Sequence, residues 1–345
     1  MFNMMPKFGI CYIELGVIIQ LTHDITIFFG ETMSIFILRD NVLATAKKVE
    51  IKRERDLEDW LENSPMALVE NEFILWIDRQ PRAQDEEGTI FPDLLGVDSE
   101  GNLVIVEFKR GRTPRTVVAQ LLEYAAWAGK LPDSEIHQIA ETYFDTRDGY
   151  QGKTFSDVFM EVFDMPETDE LPSFNNVLRL FIVAEDIPSR ISQVCRFLRT
   201  SYKMDVSCIA VSKFHTESGE EIINMEIGVG DEDVATSKAQ QHTSPPSRWT
   251  GDKPVKQVVW EAVQEFTDGS VGVEFEIKQI LVLIRKDNPD FKRPTMDGVM
   301  IADTVNHPSR GYHQATEDRY WRVARGKYRL YDPAKDRVGS DGEAS

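Results

Sequence analysis

The sequence predicts an α/β domain followed by a small, mostly helical one, and three features carry that expectation. From residue 33 to about 229, runs of strand composition alternate with runs whose apolar residues recur at helical spacing. A polar stretch at 230–253, poor in large apolar residues and containing a Pro-Pro pair, reads as a flexible linker. Beyond it, residues 254–338 hold three helical patterns and then a hairpin pattern, and 339–345 read as a disordered tail.

The 345 residues, 41% hydrophobic and 28% charged, suit a soluble chain of two domains. Three widely spaced cysteines, Cys11, Cys195 and Cys208, form no CxxC, so neither a disulfide framework nor a zinc site is indicated and a reducing cytoplasm is expected. The net charge of −19 stands against nonspecific nucleic-acid binding, which rests on positive patches. That charge is uneven: residues 254–338 carry 14 Lys+Arg against 13 Asp+Glu, so nearly all the acidity lies before them.

The elements follow in order. Residues 1–32 are a leader apart from the rest. Its stretch FGICYIELGVIIQLTHDITIFFG is apolar, but Glu14, His23 and Asp24 interrupt it, which argues against a membrane span. No small-residue cleavage site follows, and Met33-Ser34-Ile35 makes a more natural start, so the leader reads as an upstream translation artefact or a disordered extension. Next, EIKRERDLEDWLENSP reads as an amphipathic helix with Leu57, Trp60 and Leu61 apolar, ended by Asn63-Ser64-Pro65. Glu54 and Glu58 lie one turn apart on it.

IFPDLLGVDSEGNLVIVEFKRG reads as a β-hairpin with strands Pro92–Val97 and Leu103–Lys109 and a turn at 98–102. Alternation puts Leu103, Ile105, Glu107 and Lys109 on one face and Val104, Val106 and Phe108 on the other. A symmetric five-residue turn pairs Val97 with Leu103 and so sets Asp93 opposite Glu107. Two carboxylates and an ammonium then converge. Carboxylates so close repel unless a hard cation sits between them; the plainer alternative is a surface salt bridge of Lys109 to Glu107 or Asp93. A helix follows, with Thr113 as N-cap and Pro114 at N1, carrying Gln120 and Tyr124 on one face. Arg110, Arg112 and Arg115 form a local basic rim beside the carboxylates.

The order is a helix with Glu, a strand with Pro-Asp, a strand with Glu-x-Lys and a helix with Gln-x-x-x-Tyr. RERDLEDWLENSP, FPDLLGVDSEGNLVIVEFKRG and QLLEYAAW, spanning roughly residues 53–130, together resemble the PD-(D/E)XK nuclease superfamily, and most closely its NucS/EndoMS-like branch. The resemblance implies a restriction-endonuclease-like mixed sheet flanked by helices. It also implies a catalytic core of Asp93, Glu107 and Lys109, with Glu54 completing a Mg²⁺ or Mn²⁺ site and Gln120 and Tyr124 as an auxiliary motif. Glu58 replaces Glu54 if the helix alignment shifts by a turn. Members of that branch act as dimers, which allows a homodimer here.

After the motif, VLRLFIVAE, VSCIAVSKF and EIINMEIGV read as strands and SRISQVCRFLRTSY as a helix, all serving packing, while RDGYQGKTFSDVFMEVFDMPETDELPSF reads as a long loop. In the C-terminal domain VKQVVWEAVQEF, FEIKQILVLIRKDNP and MDGVMIADTVNH are helical, and RYWRVARGKYRLYD is a hairpin turning at Ala324-Arg325-Gly326. There Arg322, Lys327 and Arg329 are expected outward, and Trp321, Val323, Tyr328 and Leu330 toward a core. Three helices and a basic hairpin resemble a winged helix-turn-helix module. The third helix carries Asp297 and Asp303 and no Lys or Arg, so Arg322, Arg325, Lys327 and Arg329 of the wing would supply most DNA phosphate contacts; a protein-interaction module is the equal alternative.

The expectation is therefore a cytoplasmic, metal-dependent DNA endonuclease with an appended recognition domain. The competing reading is a non-catalytic nucleic-acid- or protein-binding module on the same scaffold. No residue excludes RNA as the substrate.

Overall fold

The computed structural model describes residues 11–13, 16–21, 25–29, 35–39, 42–69, 72–80, 83–85, 88–90, 92–230, 251–312 and 316–337. The expected linker and the tail after 338 lie almost wholly outside these residues, as does much of the leader. The chain divides into a smaller unit, residues 1–50 with 212–224, and a larger one, residues 51–211 with 225–345. In the smaller unit β1 (Cys11–Ile13), β2 (Gly16–Leu21) and β3 (Ile25–Phe29) form one antiparallel sheet, while β4 (Ile35–Arg39) pairs antiparallel with β5 (Val42–Val49).

The larger unit opens with α1 (Glu54–Glu62), whose Leu57 and Leu61 are buried, and ends that helix at Asn63, as the sequence expects. Strand β6 (Leu75–Arg79) follows, then a short hairpin of β7 (Ala83–Asp85) and β8 (Gly88–Ile90), and then β9 (Leu94–Val97) and β10 (Leu103–Arg112). Helices α2 (Val117–Ala128), α3 (Asp133–Phe144) and α4 (Phe155–Val162) lead to β11 (Leu178–Asp186), and α5 (Ser189–Tyr202) leads to β12 (Asp205–Thr216) and β13 (Glu221–Val229). In the sheet β6, β9 and β10 are successive antiparallel neighbours, while β10, β11 and β12 run parallel, joined by helical crossovers. The sheet is mixed and flanked by helices.

Apolar runs such as LVIVEF in β10 arise because both sheet faces are covered. Leu103 and Ile105 pack with Leu121, Ile136, Phe159 and Ile191 of the crossover helices, whereas Val104, Val106 and Phe108 pack with Leu57 and Leu61 of α1. Two local expectations change. The helix expected from Thr113 begins at Val117, because the Thr113 hydroxyl is turned away to donate to the Asp186 carbonyl at 2.7 Å. The supposed long loop contains α4, capped by Thr154, and Phe155, Phe159, Phe163 and Phe174 from it are core.

The C-terminal domain, also in the larger unit, comprises α6 (Val255–Thr267), β14 (Phe275–Glu276), α7 (Ile277–Asp287), α8 (Arg293–Asp303), β15 (Tyr320–Ala324) and β16 (Lys327–Leu330), with strand order β14-β16-β15. Its core includes Val259, Ile280, Met300, Tyr320 and Tyr328. Helix α8 is buried at every position from Pro294 to Asp303, and its Ile301 belongs to the core beneath the crossover helices. A helix enclosed in this way presents no face to a DNA groove in this conformation. The hairpin also faces differently from expectation. Tyr320 takes the core position, so alternation turns Arg322, across from Tyr328, inward and leaves Val323 exposed. Among the described residues no helix is long and apolar enough to cross a membrane.

Candidate active site

The register expected from the five-residue turn is present. Asp98 Oδ1 accepts the N–H groups of Glu100 and Asn102 at 3.0 Å, and Gly101 takes a φ of +82°, a conformation that a side chain would strain. Val97 therefore pairs with Leu103, and the ladder runs outward to Leu94 and Val106. Pro92 has no N–H to extend β9. One step past the last pair, Asp93 replaces the missing strand: its Oδ2 accepts the Phe108 N–H at 2.7 Å, and its carbonyl accepts the Gln80 N–H at 3.0 Å. This fixes Asp93 beside Glu107.

Lys109 closes the group. Its Nζ donates to Glu107 Oε1 at 2.5 Å and to the Phe108 carbonyl at 2.7 Å, and stands 3.7 Å from Glu54 Oε1. Past Lys109 the pairing of β10 with β11 slips, and two carboxylates secure the bulge. Glu54 Oε2 accepts the Arg110 N–H at 2.8 Å, and Glu185 Oε2 accepts the Gly111 N–H at 2.8 Å. Glu185 Oε1 also accepts the Ile51 N–H at 2.9 Å, tying the approach to α1 to this strand end. Nothing in the sequence motif marks Glu185, although an acid closing an apolar strand is a signal in itself.

Burial pushes Asp93 up to about 8, with the charge of Glu107 adding to it and the Phe108 N–H opposing it. Glu107 is also raised by burial, against the hydrogen bond from Lys109. Burial works against the Lys109 charge, but Glu107, Asp93 and Glu54 outweigh it and hold its pKa above the ordinary value. Tyr124, on α2 behind the group, is pushed up by burial and then by the charges of Glu107 and Asp93. Gln120, one turn before it, is half-buried and makes no side-chain hydrogen bond among the described residues. Glu58 is drawn elsewhere: Arg79 donates to its Oε2 at 2.8 Å and also binds Asp59 and Glu62, a role the sequence does not signal.

The donor set suits a hard divalent cation. Asp93, Glu107 and the Phe108 carbonyl are hard oxygen donors, and Glu107 Oε2 is buried with no hydrogen bond among the described residues. A cation there would relieve the repulsion that raises both carboxyl groups, so the residues fit. Among the described residues no group of three acidic, His or Cys side chains is placed to hold a metal, and the Lys109 ammonium lies against Glu107 and Glu54.

The basic residues separate into two sets. Arg110, Arg112 and Arg115 are exposed at the end of β10 and before α2. In the C-terminal hairpin Arg322 is bound by buried Asp164 at 2.6 Å, Arg329 by Asp336, and Lys327 lies 3.9 Å from Glu274. Arg325 sits half-buried in the turn beside Gly326, which abuts Pro166.

Comparisons with known proteins give little more. Residues 254–330 match the model of a domain of unknown function, DUF7669. No curated protein sequence matches the chain. A solved structure described as "Structure of EndoMS-dsDNA2 complex" is similar at 16% sequence identity and a TM-score of 0.24, over 56% of this chain and 73% of that one.

Proposed function

We propose that the chain is a metal-dependent DNA endonuclease that hydrolyses phosphodiester bonds. The observation that carries the reading is the convergence of Asp93, Glu107 and Lys109 at the end of one hairpin, with Glu54 and Tyr124 against them. Asp93 and Glu107 would hold Mg²⁺ or Mn²⁺, with Glu54 completing the site. The bound ion supplies polarisation of the scissile phosphate and a lowered pKa for the attacking water. Lys109, released from Glu107, donates its N–H groups to that water or to a phosphate oxygen on which charge develops. Tyr124 keeps Glu107 oriented, and Gln120 faces the same edge from the preceding turn of α2. Arg110, Arg112 and Arg115 take phosphates of the strand on either side. The wing residues Arg322, Arg325, Lys327 and Arg329 contribute only if the C-terminal domain undocks, and a homodimer would supply a second cleft for duplex DNA.

The ion pair of Lys109 with Glu107, and a net charge of −19, favour a second reading, a non-catalytic binding module. One experiment separates them. Purified protein is incubated with end-labelled duplex, single-stranded, mismatched and branched DNAs and an RNA, each with Mg²⁺, Mn²⁺ or EDTA. Cleavage of DNA with metal and none with EDTA is expected; no cleavage of any strand overturns the nuclease reading.

A further inference from the structure

Beside the carboxylate group lies a cavity of about 560 Å³ lined by Arg112, Thr113, Pro114, Arg115, Pro188, Ser189, Arg190 and Ile191. Its three arginines are exposed and make no ion pair among the described residues, whereas most of the other described arginines do. Arg112 ends β10, three residues after Lys109 on the same strand, whereas Arg190 comes from the start of α5, distant in the chain. The cavity therefore gathers positive charge from two crossovers.

The helices entering it add to that positive character. Neither α2 nor α5 has a side-chain N-cap or an acidic residue in its first turn, although a helix N-terminus carries free N–H groups and partial positive charge. Arg190 stands in the first turn of α5, and Arg115 directly precedes the Thr116 N-cap of α2, so cations sit where the helix dipoles disfavour them. The acids at this strand end are Asp186, across from Arg112 in the ladder, and Glu185, whose carboxylate accepts the Gly111 and Ile51 N–H groups. Like charges and uncapped amides around one cavity are an arrangement that a bound anion stabilises.

We propose that this cavity binds a phosphate group of the nucleic-acid strand at a step removed from the scissile one, with Arg190 as a principal ligand. Its volume admits a phosphate together with its sugar, and three residues of strand place it roughly 10 Å from Lys109. The proposal rests on the nuclease reading for its substrate, and it sets where the strand enters relative to the carboxylates.

The test measures binding of fluorescein-labelled 24-nucleotide single strands and duplexes to the full chain in EDTA, so that cleavage plays no part, across a series of NaCl concentrations. Each DNA is used with a 5′-hydroxyl and with a 5′-phosphate, which distinguishes an internal diester from a terminal monoester as the bound group. Arg190→Gln and Arg115→Gln are expected to weaken binding several-fold and to lower the slope of log K against log [NaCl] by about one unit each. Lys253→Gln, which removes one charge just ahead of α6, should leave the slope unchanged. Unchanged affinity and slope in Arg190→Gln, an equal effect in Lys253→Gln, or no DNA binding by the parent chain would each overturn the pocket. A parent that binds through Arg190 yet cuts nothing with Mg²⁺ would overturn the nuclease reading and leave the pocket standing.

Discussion

Replacing Asp93 with asparagine should abolish metal-dependent chemistry and yet stabilise the fold at neutral pH. Asparagine retains an oxygen to accept the Phe108 N–H but cannot ionise beside Glu107. Burial and Glu107 lift Asp93 from 3.8 to about 8, so the folded state holds its proton more tightly than the unfolded chain does. Below about pH 4 both states are protonated and the residue is neutral in its effect. As pH rises toward 8 the unfolded chain ionises first, and the fold loses about 1.4 kcal/mol per pH unit over that window. The full window would give about 6 kcal/mol; sharing one proton with Glu107, and partial access of solvent, reduce the working figure to about 2 kcal/mol. The assay is urea denaturation of parent and Asp93→Asn in EDTA at pH 4.5, 6 and 8. The variant's advantage should grow from near zero to about 2 kcal/mol across that series. A variant that is less stable than the parent at pH 8, or a difference independent of pH, would refute the claim that the paired carboxylates are held at a cost.

Three further outcomes follow from the same geometry. Calorimetry of Mn²⁺ binding at pH 7, compared between buffers of different ionisation enthalpy, should show about one proton released per ion, and Glu107→Gln should remove both the binding and the release. Arg322→Ala strips the partner from buried Asp164 and should cost about 3–5 kcal/mol in thermal or denaturant unfolding, and the docked hairpin should become protease-sensitive. Gly326→Ala should destabilise by about 1–3 kcal/mol in the same measurement, because Gly326 has a φ of +68° and an added Cβ would lie 2.5 Å from Pro166 Cδ.

The legibility of the site in the sequence was set by how local its determinants are. Asp93 and Glu107 could be placed opposite each other because Asp98 and Gly101 fix a symmetric turn within the same 15 residues that carry both carboxylates. Glu185, Arg79 and Arg190 could not, since each acts on residues far away in the chain, at Gly111 and Ile51, at Glu58 and Glu62, and beside Arg112. α4 was concealed by the polar residues around it, although Phe155, Phe159 and Phe163 recur every four residues and carried the helical period. In the C-terminal domain the order of helices and hairpin was legible. The burial of α8 was not, because its partner Glu72 lies in the preceding domain and periodicity within the module cannot report it. The face of Arg322 was missed for a related reason: two aromatic residues, Tyr320 and Trp321, compete for the core position, and packing decides between them.

Lys109 gives the most direct test, because it separates a salt bridge from a catalytic group. Single-turnover cleavage by the parent, Lys109→Ala and Lys109→Arg is compared under saturating Mg²⁺ on the DNA that the substrate panel identifies, with Mn²⁺ affinity measured alongside. Removing the ammonium frees Glu107 Oε1, so Mn²⁺ should bind both variants at least as well as the parent or, for Lys109→Ala, more tightly. Cleavage should fall by a factor on the order of 10² or more in both, since a guanidinium keeps the charge but not the compact donor geometry. Parent-like cleavage by Lys109→Ala would contradict the account and reduce Lys109 to a partner of Glu107 in an ion pair.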